Sequence, residues 1–166
     1  MNPFLLVFFL AQAATVPPST GGAEPAPTCA ALDRSLPPAL AGWSRNGERL
    51  MLGHAVTLQG EATPTPPRGR PGLGATIAFS VPIDGTYGIA LNQDGWIEME
   101  PVMDRGPGTP IAAVGHDHGS ACSSVRKIVR FELNAATYYS LSLSGLSNPV
   151  VRVMLVAPPP PEPPAH

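Results

Sequence analysis

Two stretches of the chain repeat the same spacing of large apolar residues. The first copy reads Phe79-x-Val81-x5-Tyr87-x-Ile89-x-Leu91, and the second reads Phe131-x-Leu133-x5-Tyr139-x-Leu141-x-Leu143. Residues that alternate along a strand point to one face of a sheet. Each copy therefore predicts a β-hairpin that buries one face, so that the same hairpin is used twice to build a core.

Further alternating segments lie between turn residues, and no window shows a sustained helical period. Candidate strands are His54–Leu58, Ala75–Val81, Tyr87–Leu91, Trp96–Glu100, Ile111–Val114, Val125–Leu133, Tyr139–Ser144 and Val150–Val156. Turn dipeptides such as Asp84-Gly85 and Asp94-Gly95 separate them. Seven or eight short strands at this spacing predict an all-β fold, an antiparallel β-sandwich of the jelly-roll-like kind.

The two ends of the chain differ in composition from its middle. Residues 1–13 contain the apolar run Phe4–Ala11 before small residues, a pattern typical of a cleaved secretory signal peptide. Residues 14–28 predict a disordered linker, and residues 157–166 form a Pro-rich tail. Between them, residues 29–156 predict one β-sandwich domain. We therefore expect a periplasmic or secreted protein without a membrane span after signal cleavage.

The cysteine count and the charge narrow the chemistry further. Cys29 and Cys122 form an even pair, which predicts one disulfide in an oxidising compartment. On the chain-entropy argument such a bridge stabilises the fold by roughly 4–5 kcal/mol. The net charge is −2 and 13% of residues are charged, which argues against nucleic acid as a partner.

The segment between Gly115 and Gly119 holds His116, Asp117 and His118, and we predict a glycine-flanked loop here. In an extended conformation the two histidines point the same way and could both reach one metal ion, with Asp117 facing away or accepting a ring N–H. Two ligands are too few for a tight site. The candidates for a third are His54, Asp104, Glu98 and Glu100. A completed site would suit zinc, copper(II) or non-haem iron.

Aromatic residues offer a different use for the same region. Trp96 follows Gly95 at the start of a strand and is expected at the rim of the sandwich, whereas Trp43 is expected to pack in the core or at an edge. Trp96 with His116, Asp117 and His118 then predicts a ligand-binding end. Tyr138 is a further aromatic platform. The sequence contains no complete catalytic set, which favours a non-catalytic module that binds a small ligand, a glycan or an envelope protein.

The run HDHGSACSSVRKIVRFEL, with Cys29 upstream and Trp43 after Leu40-Ala41-Gly42, resembles a family of small exported bacterial β-proteins. Family members often carry the label homogentisate 1,2-dioxygenase, so the resemblance implies an iron held by histidines and an oxygenase activity as the alternative to binding. The repeated apolar pattern is also similar to the jelly-roll-like modules of secreted bacterial enzymes, which include pre-peptidase C-terminal domains and carbohydrate-binding modules.

Overall fold

A computed structural model describes Asp33 and residues 36–62, 70–104, 106–119 and 123–158 of the chain. The predicted signal peptide, the predicted linker and both cysteines lie outside the described residues, as do residues 159–166 of the tail. Among the described residues no helix is long and apolar enough to cross a membrane.

The prediction of an all-β protein is confirmed. Within the described part of the chain, one short 3-10 helix, Pro38–Leu40, precedes eleven strands. The strands are β1 (Asn46–Gly47), β2 (Ala55–Gln59), β3 (Glu61–Ala62), β4 (Leu73–Ser80), β5 (Gly85–Leu91), β6 (Trp96–Met103), β7 (Gly106–Pro107), β8 (Gly115–His118), β9 (Lys127–Leu133), β10 (Tyr138–Leu146) and β11 (Val150–Val156). Seven of the eight predicted strands overlap one of them.

The strands form two sheets. The six-stranded sheet has the order β1-β2-β11-β5-β9-β8, and the five-stranded sheet has the order β3-β4-β10-β6-β7. Every pairing between these strands is antiparallel except that of β1 with β2. Strands β8 and β7 lie at sheet edges, and the chain crosses from one edge to the other between them.

The two copies of the apolar pattern are not hairpins, and that prediction is wrong. In the first copy β4 belongs to the five-stranded sheet and β5 to the six-stranded sheet, while the second copy crosses the other way from β9 to β10. The copies pair with each other: Phe79 lies opposite Tyr139, and Phe131 lies opposite Tyr87. Each copy is therefore an arch between the sheets, and the two arches are related by a pseudo-two-fold axis.

The inner faces of both sheets supply one buried cluster. Its largest fully buried members include Tyr87, Tyr139, Phe131, Ile89 and Leu141. Burying a side chain of this size stabilises the fold by about 1.5–3 kcal/mol. The alternating residues are therefore buried on one face, as predicted. They pack against the opposite sheet.

A smaller cluster covers the outer face of the six-stranded sheet. Trp43 packs there with Leu40, Ile128 and Met154 and is 2% exposed, as predicted for a core residue. Its indole N–H donates to the hydroxyl of Ser124 at 2.7 Å. The segment that contains the 3-10 helix therefore packs on the outer face of the six-stranded sheet. The inner face of the same sheet packs in the main core.

One predicted strand is absent where it was expected. Residues Ile111–Val114 have no regular structure in the described chain, and the strand β8 begins one residue later. Pro110 has no N–H to donate, and the Ile111 N–H donates to the Met99 carbonyl of β6 at 2.7 Å. The segment therefore leaves β6 and crosses to the other sheet before pairing resumes.

Candidate functional site

A cavity of about 690 Å³ opens between the sheets where β8 and β9 face the beginning of β6. We call it the edge cavity. Its lining residues are Trp96, Ile97, Glu98, Thr109, Pro110, Ile111, Ala112, Ala113, His116, His118, Lys127, Val129 and Phe131. Its volume lies within the range typical of small-molecule sites, and most of its lining is apolar. Three of the four residues predicted to bind a ligand, Trp96, His116 and His118, line it.

The segment His116-Asp117-His118 is an edge strand, so the prediction of a loop is wrong. His116 lies opposite Val129 and His118 lies opposite Lys127 on β9. Because Val129 belongs to the inner core, both histidines lie on the inner side of β8, where they line the edge cavity and remain exposed. Their ring centres are 6.0 Å apart and the rings are nearly perpendicular. Neither imidazole is hydrogen-bonded to another described residue.

Asp117 occupies the outer face of the same strand. It forms an ion pair with Arg130 of β9, and both side chains are at least one third exposed. The alternation of the strand thus separates Asp117 from the histidines and from the edge cavity. Its carboxylate stabilises the outer edge of the sheet and does not line the site.

Lys127 is a residue of the site that the sequence analysis did not single out. It shares the inner face with Val129, and its ammonium donates to the Gly95 carbonyl at 2.8 Å, across the gap between the sheets. Burial lowers the pKa of Lys127, the negative charge of Asp94 opposes this change, and the positive charge of Arg70 adds to it. The alternation Lys127-x-Val129-x-Phe131 was the signal that could have placed this cation on the buried face.

Trp96 stands at the rim of the edge cavity. Its side chain is 41% exposed, and the guanidinium carbon of Arg70 lies 5.6 Å from the centre of its ring. Trp96 alternates with Ile97, which packs against the core. Tyr138, the other aromatic platform, lines a separate apolar cleft of about 540 Å³ beside β4. The structure therefore does not bring Tyr138 together with the histidines.

Glu98 and Glu100 flank Met99, which is fully buried in the inner core. Strand alternation therefore directs both carboxylates to the outer face of the five-stranded sheet, although Glu98 is among the residues that line the edge cavity. They lie opposite Ser142 and Ser140 of β10. Both carboxylates are partly buried, and they lie on the side of β6 that is turned away from Met99.

The third metal ligand is not assembled among the described residues. No group of three or more histidine, cysteine, aspartate or glutamate side chains lies close enough there to hold an ion. His54 immediately precedes β2, and the strands β11, β5 and β9 lie between β2 and β8. At the usual spacing of strands this separation is roughly 19 Å. Asp104 follows β6 and does not line the edge cavity.

A polar cavity of about 590 Å³ adjoins the site and shares His118 with it. Gln93, 6% exposed, dominates this second cavity. Its side-chain oxygen accepts from the N–H groups of Ser147 and Asn148 at 3.0 and 2.9 Å, and its amide nitrogen donates to the Asn148 carbonyl at 3.1 Å. The side-chain amide of Gln93 is hydrogen-bonded to the turn at Ser147 and Asn148 and stabilises it, so the role of Gln93 is structural.

Comparison with known proteins identifies no relative. No family model, no curated protein and no solved structure matches the chain.

Proposed function

We propose that the protein is an exported, non-catalytic binding module whose ligand is a small molecule held in the edge cavity. The observation that carries this proposal is the convergence of Trp96, His116 and His118 on one cavity of about 690 Å³ with largely apolar walls. An apolar site with a few convergent polar groups is the common form of a small-molecule site.

The proposed architecture is an antiparallel, jelly-roll-like β-sandwich with one disulfide. Two sheets with a shared core and two arches between them support the sandwich. The contacts of Asp33 are an argument for the proposed disulfide. The Asp33 carboxylate accepts from the Ser123 hydroxyl at 3.2 Å and from the Ser124 N–H at 3.0 Å. Asp33 is four residues after Cys29 and Ser123 adjoins Cys122 in the sequence, so the contacts join residues that lie near the two cysteines along the chain.

Export is proposed from residues 1–13, which resemble a signal peptide. A periplasmic or extracellular location agrees with the proposed disulfide, since disulfides persist in oxidising compartments. Mass spectrometry of the protein from an exporting host tests both points at once. We expect removal of the signal peptide and a mass lower than that of the reduced chain by two hydrogen atoms.

The cavity itself is tested by filling it. Ala113 lines the edge cavity and Ala78 lines the apolar cleft beside β4, so Ala113→Phe and Ala78→Phe are matched variants. Ligand-observed NMR against a library of acidic, basic and neutral fragments is expected to find binders that Ala113→Phe loses and Ala78→Phe retains. Binders that survive in Ala113→Phe would place the ligand elsewhere. Turnover of an aromatic or ester substrate that disappears in His116→Ala would contradict a non-catalytic role.

A metal-binding protein or oxygenase is the second candidate, favoured by the two inward-facing imidazoles 6.0 Å apart. Iron, copper or zinc is the expected ion. Metal analysis of the wild type beside a His116→Ala/His118→Ala double variant separates the candidates. About one equivalent of metal that is lost in the double variant would establish the metal site, whereas an unchanged trace in both supports the binding module.

A further inference from the structure

Three of the polar side chains that line the edge cavity are nitrogen bases, and the other two polar lining residues are Glu98 and Thr109. His116 and His118 project from β8, and Lys127 projects from β9 beside them. We call these three residues the basic wall. The opposite wall consists mainly of Ile97, Pro110 and Ile111, which offer no side-chain hydrogen-bonding group. The cavity therefore has its nitrogen bases on one side and mainly hydrocarbon on the other.

Three carboxylates lie near the basic wall, and one of them, Glu98, is among the residues that line the edge cavity. Asp117 is on the outer face and is paired with Arg130. Strand alternation turns Glu98 to the outer face of the other sheet. Asp94, which acts on Lys127 through its charge, lines the adjoining polar cavity and not the edge cavity. Among the described residues that line the edge cavity, one carboxylate, Glu98, is therefore present beside the three nitrogen bases of the basic wall.

The basic wall has hydrogen-bonding capacity to spare. An ammonium group has three donors, and Lys127 uses one of them for the Gly95 carbonyl. The imidazoles have no hydrogen-bond partner among the described residues. Partial burial of Lys127 reduces the screening of its charge by water, which strengthens an interaction with an anion at this position.

We propose that the ligand is a small organic anion: a carboxylate contacts the basic wall, and an apolar body fills the space between Ile111 and Phe131. This inference rests on the proposed function, because it names the class of ligand for the same cavity. An organic cation would meet the charge of Lys127, and a neutral sugar would meet mainly hydrocarbon on the opposite wall. The walls therefore favour the anion on charge and on hydrogen bonding.

Three compounds of one chain length test the charge requirement: octanoate, octanamide and octylamine. Binding to the purified protein is measured by isothermal titration calorimetry at pH 7.5, and the site is assigned from NMR shifts of the histidine rings and the Trp96 indole. We expect octanoate to bind about tenfold more tightly than octanamide, as for the loss of one charge-assisted hydrogen bond. Octylamine is expected to bind more weakly still.

Variants of β9 show which cation is responsible. Lys127→Met is expected to abolish most of the preference for octanoate over octanamide, whereas Lys127→Arg is expected to keep most of that preference. Arg130→Met removes a charge from the opposite face of the same strand and serves as the matched control, with no change expected. If Lys127→Met does not fold, Lys127→Gln replaces it.

The outcomes distinguish this inference from the proposed function. If octanamide or octylamine binds in the edge cavity as tightly as octanoate, the anion inference is overturned while the cavity remains a ligand site. A preference for octanoate that persists in both Lys127→Met and Lys127→Gln also overturns it. If fragments bind only outside the edge cavity, both the proposed function and the inference fail.

Discussion

The pseudo-two-fold relation of the two arches predicts how two tyrosines differ in their contribution to stability. Tyr87 is 0% exposed and Tyr139 is 2% exposed, and they occupy equivalent positions. The Tyr87 hydroxyl donates to the Ile83 carbonyl at 2.9 Å. The Tyr139 hydroxyl accepts from the Asn134 N–H at 2.7 Å and donates to the Asn134 carbonyl at 3.2 Å. The second tyrosine therefore makes one hydrogen bond more than the first.

Substitution by phenylalanine removes the hydroxyl and keeps the ring. At about 1 kcal/mol for each hydrogen bond, Tyr139→Phe is expected to lower the free energy of unfolding by about 2 kcal/mol, and Tyr87→Phe by about 1 kcal/mol. Tyr138→Phe is the control, because Tyr138 is 67% exposed and its substitution is expected to change stability by less than about 0.5 kcal/mol.

Urea denaturation followed by circular dichroism measures these differences, provided that the slope of the free energy against urea is unchanged. Calorimetry gives an independent check, since 1 kcal/mol corresponds to a fall in Tm of roughly 3–5 °C for a domain of this size. Equal losses for Tyr139→Phe and Tyr87→Phe would refute the reasoning from the number of bonds. A loss below about 0.5 kcal/mol for both variants would show that the hydrogen bonds of these hydroxyls to Ile83 and Asn134 do not stabilise the fold.

Three further predictions follow from the site and the chain ends. Because burial lowers the pKa of Lys127 below 10.5, the unfolded chain holds this proton more strongly, so stability from this group rises as the pH increases through the window between the two pKa values. In Lys127→Met this rise in the free energy of unfolding at alkaline pH is expected to be absent, which a series of urea melts at increasing pH measures. Asp117→Asn breaks an exposed ion pair with Arg130 and is expected to lower the free energy of unfolding by at most about 1 kcal/mol. The effect is expected to be smaller in 1 M NaCl, and a larger loss would indicate that the pair is shielded from water. Reduction of the proposed Cys29–Cys122 bridge is expected to lower the free energy of unfolding by roughly 4–5 kcal/mol, and no difference between melts with and without reductant would argue against the bridge.

Much of the fold could be predicted from local pattern. The alternation around Val129 and Phe131 identifies the buried face of β9, and the apolar run Val150–Val156 coincides with the whole of β11. The burial of Trp43 and the exposure of Trp96 were also predictable. These features depend on which side of a strand a residue occupies, and a period of two along the chain is sufficient to determine that.

The candidate site was only partly predictable. The spacing of His116 and His118 predicted that both rings point the same way, and the structure brings Trp96 to the same cavity. The spacing could not show that His54 lies several strands away. Nor did the charge pattern distinguish Lys127, which faces the interior, from Arg130, which faces outward.

The sequence by itself determined the class of secondary structure and the buried side of each strand, because both follow from the order of apolar and polar residues along a few neighbours. The tertiary structure decided which strands pair, and it converted the two predicted hairpins into arches between sheets. It also decided that β8 and β6 leave a gap lined by His116, His118 and Lys127. Pairing and gaps depend on hydrogen bonds and contacts between residues far apart in the chain, and a local pattern contains no information about which distant strand completes them.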